Sequence, residues 1–308
     1  MKRIIALLGL ICILFSGCAR ADVTAQIAAT TLPVYEFTVR LCEGTDITVT
    51  RLVTESVSCL HDYSLNVRQV RATEAAELIV MNGAHLEEFM EDVLTDKETV
   101  DSSAGLELHH CEDRSHEHEG HSHEADAHIW LSPENAKVMA RNICAGLSQK
   151  YPNYSAVFET NLSALLADLD ALQAYGEAEL SDLTCRELVT FHDGFSYFAE
   201  GFGLTVLEAI EEESGSEASA AELKHLITLV QDHSLPAVFT ETNGSTSAAD
   251  IIAAETGAAV YTLDMAMAGD SYFDAMYRNI DTIREALGGE PPCTAVPAAI
   301  PAACGCRI

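Results

Sequence analysis

The sequence predicts an α/β protein of two Rossmann-like lobes, each with a parallel sheet, joined by one long rigid helix. Short β-rich runs alternate with helical patterns, which is typical of parallel βαβ units. Both halves of the 308-residue chain show this alternation of strands and helices. One unbroken helical pattern separates the halves, so we expect a rigid connection between the lobes and a ligand site in the cleft between them.

The first half contains three candidate strands and one clear helix. The strands are predicted at residues 25–30, 46–53 and 77–81. The helix is predicted at 133–150, because Ser132 is a good N-cap residue and Pro133 suits the first helical turn.

The predicted connecting helix runs from residue 153 to about residue 180. It contains no proline, and its first glycine is Gly176. A helix of this length spans roughly 40 Å at 1.5 Å per residue. Its apolar residues recur at steps of three or four, at Phe158, Leu162, Leu165, Leu169 and Leu172.

The second half repeats the strand and helix alternation. Four strands are predicted at 187–191, 204–209, 237–240 and 259–263, and helices near 220–233, 248–256 and 272–287. The predicted organisation is therefore a leader at 1–17, an N-terminal lobe at 18–152, the connecting helix at 153–183, a C-terminal lobe at 184–289 and a Pro/Ala-rich tail at 290–308.

The N-terminus is typical of an exported lipoprotein. Lys2 and Arg3 precede an apolar run at 4–15, which is short for a bilayer-spanning helix and long enough for a signal peptide. The Ser-Gly-Cys sequence that follows resembles a bacterial lipobox, with Phe15 in place of the usual leucine. We expect Cys18 to be acylated and to anchor the protein on the extracytoplasmic face of the cell membrane.

Charge and composition exclude several classes of protein. The formal net charge is −31, which disfavours nucleic acid and anionic surfaces as partners. No later apolar run reaches transmembrane length. The ten cysteines include no CxxC pair, so the sequence predicts no disulfide map and no zinc knuckle.

Four side chains that can bind metals lie directly after predicted strands or in the loops that connect predicted elements. Ligands of open parallel sheets gather beyond the carboxyl ends of the strands. His192 and Asp264 directly follow strands, His61 lies in a loop after a strand, and His128 precedes the helix at residue 133. Three nitrogens and one oxygen suit tetrahedral Zn²⁺. Four protein ligands leave no position for an activated water, which favours metal binding over hydrolysis.

Several motifs carry a resemblance to a known family. They are LHDY at 60–63, DAHIWLSP at 126–133, TFHDGFSYFA at 190–199, FTETNGS at 239–245, YTLDMA at 261–266 and SYFDAMYRNI at 271–280. Between residues 24 and 288 the chain resembles the zinc-binding lipoproteins of ABC importers, in the metal-binding group of solute-binding proteins.

The resemblance implies a receptor that is not an enzyme, delivers Zn²⁺ to a permease with a cytoplasmic ATPase, and acts as a monomer. Its ligand roles fall on His61, His128, His192 and Asp264, and a histidine at 192 favours zinc over manganese or iron. The sequence departs from the family where Leu60 precedes His61 in place of a common proline. It also lacks the proline often found after the aspartate, so a water or another carboxylate remains an alternative to Asp264.

A histidine-rich segment at 109–125 is predicted to form a mobile loop, because it has almost nothing apolar to bury. Zinc-specific relatives carry a similar loop at this place. One hypothesis is that the segment collects zinc weakly and passes it to the main site or senses its supply; the other is that it is a tolerated insertion. Its six histidines are His109, His110, His116, His118, His121 and His123.

Three other functions are alternatives to zinc reception. A manganese- or iron-binding homologue would share the fold, and an adhesin role has been attached to relatives, although no feature of the sequence supports adhesion independently. An extracellular zinc hydrolase would use His61, His128 and His192 with water in the fourth position. The sequence contains no HExxH or GxSxG motif, which disfavours the hydrolase.

Overall fold

The computed structural model describes residues 25–55, 60, 63–109, 125–209, 218–242 and 244–288. The predicted leader with Cys18 and the predicted Pro/Ala-rich tail lie outside these ranges, as does most of the histidine-rich segment.

The N-terminal lobe contains a parallel four-stranded sheet. Its strands are β1 (Ile27–Ala29), β2 (Val49–Arg51), β3 (Leu78–Met81) and β4 (Thr99–Asp101), in the order β2-β1-β3-β4. The prediction of the first three strands is confirmed. The fourth was missed because it has three residues, of which only Val100 is buried, and so shows no readable pattern.

Four helices accompany this sheet: α1 (Leu32–Leu41), α2 (Val67–Ala75), the short α3 (Glu91–Leu94) and α4 (Pro133–Lys150). The start of α4 is as predicted, because Pro133 occupies the first turn and the Ser132 hydroxyl accepts from the Asn135 N–H. This cap fixes where the 126–132 segment enters the helix.

The connecting helix α5 (Ser155–Glu179) is 25 residues long, as the spacing of its apolar residues predicted. It buries Phe158, Leu165, Leu169 and Leu172. Gly176 allows the Phe202 ring to lie directly on the helix backbone, since a Cβ there would be 2.2 Å from Phe202 Cε1. Within the described ranges no helix has the length and apolarity needed to cross a bilayer.

The C-terminal lobe repeats the first sheet topology. Its strands are β5 (Glu187–Thr190), β6 (Thr205–Ala209), β7 (Ala237–Glu241) and β8 (Ala259–Leu263), parallel and in the order β6-β5-β7-β8. Its helices are α6 (Ser196–Gly201), α7 (Ala220–Asp232), α8 (Ser247–Thr256) and α9 (Tyr272–Leu287).

The two lobes share a continuous hydrophobic core. One cluster of buried side chains contains both Ile27 of the first sheet and Leu188 of the second. At the seam, the buried Tyr272 of α9 packs edge-on against Phe37 of α1 with ring centroids 5.1 Å apart. The seam is therefore a packed interior, and the lobes are joined by more than the connecting helix.

Each sheet has its central strands at a topological switch point. In the first sheet the chain crosses to opposite sides from β1 and β3, and in the second from β5 and β7. Ligands of open parallel sheets bind beyond the carboxyl ends of such strands. The residues that follow β5 and end β7 are thus the first place to look for a site.

Candidate metal centre

His128 is held in a buried position immediately before α4. It precedes a single 3-10 turn (Ile129–Leu131) and is 5% exposed. Both its backbone N–H, at 2.9 Å, and its Nδ1, at 2.8 Å, meet Oδ1 of Asp126. An ionised carboxylate only accepts hydrogen bonds, so we assign the proton to Nδ1. This leaves Nε2 of the neutral ring to carry the lone pair that a metal requires.

Asp126 remains ionised beside this imidazole. Burial raises the pKa of its carboxyl, but the hydrogen bonds that it accepts from Nδ1 and the backbone N–H of His128 help to hold the net pKa below its ordinary value. Its other oxygen, Oδ2, is buried and has no hydrogen-bond partner among the described residues. Asp126 therefore orients His128 through one oxygen only.

His192 comes from the other lobe and faces His128. It follows β5 by two residues, and its carbonyl accepts from the Thr190 hydroxyl at 3.0 Å. The two Nε2 atoms lie 3.1 Å apart, with the rings at 89°. Two nitrogens bound to one tetrahedral Zn²⁺ at the usual bond length are separated by about 3.3 Å. The imidazole pair is therefore spaced as two ligands of one ion.

Gly194 lets the two imidazoles approach each other. A Cβ at this position would lie 2.8 Å from Cδ2 of His192 and 3.1 Å from Cδ2 of His128. It would also lie 2.5 Å from Cε of Met265. The glycine of the HDG sequence is thus required by packing around both rings.

Glu241 places a carboxyl group on the His192 side of the imidazole pair. It is the last residue of β7 and is 8% exposed. Its Oε1 lies 4.0 Å from Nδ1 of His192, beyond hydrogen-bond distance. A carboxylate so placed favours a cation at the imidazoles.

Asp264 lies directly after β8, as predicted, and its carboxylate contacts other groups. Oδ1 accepts from the Ala266 N–H at 2.8 Å, and Oδ2 lies 3.2 Å from Nη2 of Arg278. The buried Asn279 side chain holds its backbone on both sides, at 2.8 and 2.7 Å. Among the residues that the structure describes, no three His, Cys, Asp or Glu side chains form a metal-binding group. Asp264 as a ligand stays a prediction.

The remaining predicted site residues divide between described and undescribed positions. His61 lies outside the described ranges, as do His110, His116, His118, His121 and His123. His109 is described, and its Nε2 lies 2.8 Å from Oε2 of Glu200 while its ring stacks on Tyr197. His109 therefore contacts α6 of the C-terminal lobe.

Asn82 and Glu87 support the site from the N-terminal lobe and were missed by sequence reasoning. The buried Asn82 follows β3 and donates from Nδ2 to the carbonyl of Ala127, the residue before His128, at 3.1 Å. Glu87 in turn accepts from the Asn82 N–H at 2.7 Å and from the Thr30 hydroxyl at 2.6 Å. Asn82 does stand at a strand end, but a search for metal-binding side chains passes over an amide.

Two parallel-sheet lobes with facing imidazoles at the switch point, packed along a connecting helix, define a two-lobed solute-binding protein. The chain belongs to the ZnuA family, described as "Zinc-uptake complex component A periplasmic", which matches residues 27–286. The family description names a periplasmic component of an uptake complex. This agrees with the expectation of a receptor that is not an enzyme.

Individual relatives agree with this assignment. The zinc-binding lipoprotein AdcA of Streptococcus pneumoniae is 30% identical over 95% of this chain and 62% of its own length. The high-affinity zinc uptake system protein ZnuA of Bacillus subtilis is 27% identical over 85% of this chain and 87% of its own. A zinc-bound ZnuA deletion mutant superposes with a TM-score of 0.72 at 30% identity, covering 87% of this chain and 100% of that one. The chain thus spans about 62% of the length of AdcA.

Proposed function

We propose that the protein captures Zn²⁺ outside the cytoplasm and delivers it to the permease of an ABC importer driven by a cytoplasmic ATPase. The observation that carries the proposal is the 3.1 Å separation of the Nε2 atoms of His128 and His192. Asp126 directs the lone pair of His128 toward His192. His61 and Asp264 complete the coordination in this proposal.

Zinc is the cargo that these donors favour over manganese and iron. Imidazole nitrogens suit Zn²⁺, whereas carboxylates and water suit Mn²⁺ better. Two of the proposed ligands are the facing imidazoles of His128 and His192. The printed names of the relatives AdcA and ZnuA refer to zinc binding and zinc uptake.

The protein is proposed to act as a monomer anchored through a lipid on Cys18, on the extracytoplasmic face of the cell membrane. The Ser-Gly-Cys sequence at residues 16–18 supports the anchor. The relative in Streptococcus pneumoniae is named a lipoprotein. Acyl chains on Cys18 would keep the soluble body beside the permease.

The proposed division of the body places the N-terminal lobe at 18–152, the connecting helix at 153–183 and the C-terminal lobe at 184–289. The two sheets support it, since their strands fall within Ile27–Asp101 and Glu187–Leu263. Helix α5 lies between them in sequence. The metal then binds where the lobes meet.

Alanine substitution of each proposed ligand tests this function. We expect His128→Ala and His192→Ala to lose the tightly bound zinc ion, and His61→Ala and Asp264→Ala to weaken its binding at least tenfold, because each removes a coordinate bond. Metal analysis and chelator competition on the purified chain measure both effects.

His233→Ala is the matched control. His233 pairs with Glu187 at 2.9 Å and is distant in sequence from every proposed ligand. It should retain one tightly bound zinc ion. Retention of that ion by both His128→Ala and His192→Ala would refute the proposed site.

A further inference from the structure

We infer that Tyr197 is a positioning residue for the metal ligand His128 and acts on it through Asp126. The inference rests on the proposed zinc site and adds a residue to its support. Tyr197 belongs to α6 and is 2% exposed. Its hydroxyl joins the segment that carries His192 to the segment that carries His128.

The Tyr197 hydroxyl makes two hydrogen bonds to backbone groups that precede His128 in the chain. It donates to the carbonyl of Asp126 at 3.1 Å and accepts from the N–H of His109 at 2.9 Å. The N–H of Asp126 in turn donates to the carbonyl of His109 at 2.8 Å. The Tyr197 hydroxyl therefore holds the backbone at both His109 and Asp126.

The position of Asp126 decides the orientation of His128. Asp126 contacts His128 through Oδ1 alone, and its Oδ2 has no hydrogen-bond partner within the described part of the chain. No second bond to the carboxylate corrects a shift of its backbone. A shift of the Asp126 backbone would therefore change the orientation of the His128 ring directly.

Tyr197 also links the two ligands across the lobes. It lies five positions after His192 in the same motif, so its bond to Asp126 ties the segment bearing His192 to the segment bearing His128. This bond and the 3.1 Å contact between the two Nε2 atoms both join the 190–199 segment to the 126–133 segment. Loss of the hydroxyl should allow the distance between the two Nε2 atoms to vary more widely.

The Tyr197 ring itself is held in place by His109 and Glu200. The imidazole of His109 stacks on it at 4.1 Å with the planes 12° apart, and His109 Nε2 lies 2.8 Å from Oε2 of Glu200. Removing only the hydroxyl leaves this stack intact. Tyr197→Phe therefore removes both of these hydrogen bonds while keeping the aromatic ring.

The test is a double-mutant cycle of Tyr197→Phe and Asp126→Asn on the full chain. We expect Tyr197→Phe to speed chelator-measured zinc release about tenfold, as the loss of one or two buried hydrogen bonds allows. In the Asp126→Asn background the same change should alter the rate less than about twofold, because the pathway to His128 is already broken. The visible bands of bound Co²⁺ should shift in Tyr197→Phe, since they report ligand geometry.

Tyr175→Phe is the matched control. Its hydroxyl donates to Asp281 at 2.7 Å, between α5 and α9, and the change should leave zinc release and the Co²⁺ bands as in the unmodified chain. Thermal unfolding with a chelator present compares the stability of all variants.

The inference is overturned if Tyr197→Phe releases zinc at the unmodified rate, or if its effect is equally large in the Asp126→Asn background. Either result would leave zinc binding by the unmodified chain in place. If the unmodified chain itself holds no zinc tightly, the proposed function fails, and the positioning role fails with it.

Discussion

At the residue scale, Gly194 is a position where one added methyl group would press against both imidazoles. The space that its missing Cβ leaves is filled by the edges of His192 and His128 and by the end of Met265. The need for a glycine at this position could not be predicted from the sequence, because the contact with His128 joins residues 66 positions apart.

We predict that Gly194→Ala weakens zinc binding about five- to 150-fold, since overpacking by one methyl group costs about 1–3 kcal/mol. Chelator competition measures the change. Gly201→Ala is the control, because the nearest atom to its Cβ would be Ser132 Oγ at an ordinary 3.8 Å. Equal zinc affinity of the two variants would show that the rings have room to spare.

Glu87 predicts a pH dependence of stability. Burial raises the pKa of its carboxyl from 4.5 to about 7. A raised pKa in the folded state means that the folded protein binds the extra proton, so this contribution to stability is full below pH 4.5 and is lost as the pH rises through 7.

The unmodified chain should therefore lose stability relative to Glu87→Gln between about pH 4.5 and 7, by at most about 1.4 kcal/mol per pH unit. The glutamine also loses an acceptor, which shifts stability by an amount independent of pH. Urea unfolding with chelator across this range measures the difference, with the exposed Glu88→Gln as control. A difference that stays constant with pH would contradict the assignment.

Sequence reasoning at this scale found the residues whose chemistry and local position coincide. His128 and His192 combine a metal-binding side chain with a place beside a predicted element, and the structure brings them together. Asn82 and Tyr197 act on the site through partners 45 and 71 positions away. No local pattern encodes such contacts, so they required the folded structure.

At the element scale, long segments with a clear period were predicted closely. Helices α4 and α9 begin and end at the predicted residues, and β8 does as well. The missed elements have three to ten residues and are set by packing on neighbours; they are β4 and the helices α1, α2, α3 and α6. Short segments carry too few apolar positions to show a period.

The base of the histidine-rich segment is an ordered part of the fold. His109 and Asp126 are joined by a backbone hydrogen bond of 2.8 Å and share the Tyr197 hydroxyl. His109 and Asp126 are therefore close enough for a short turn to connect them.

We predict that replacing residues 110–124 by Gly-Ser removes weakly bound zinc and keeps one tightly bound ion, because the four proposed ligands of the main site lie outside the segment. Calorimetric titration gives both the stoichiometry and the affinities. A matched variant keeps the length and changes the segment's five histidines to serine. Loss of the tight ion in both variants would place the main site within the segment, and an unchanged stoichiometry would rule out zinc binding by it.

At the scale of the whole molecule, the lobes are joined by a packed seam as well as by α5. The buried Trp130 donates from Nε1 to the carbonyl of Met265 at 2.7 Å, and the Tyr272 hydroxyl donates to the carbonyl of Trp130 at 2.8 Å. These bonds couple the segment bearing His128 to the loop after Asp264. We therefore expect zinc release to involve small shifts at the ligands rather than a wide opening of the lobes.

One zinc ion is proposed to bridge the lobes at His128 and His192. A zinc-loaded crystal of the full chain, with anomalous scattering recorded at the zinc absorption edge, tests it directly. We expect the strongest zinc peak within about 2.1 Å of Nε2 of both histidines. A strongest peak on any other group of side chains, or bonded to Nδ1 of His128, would contradict it.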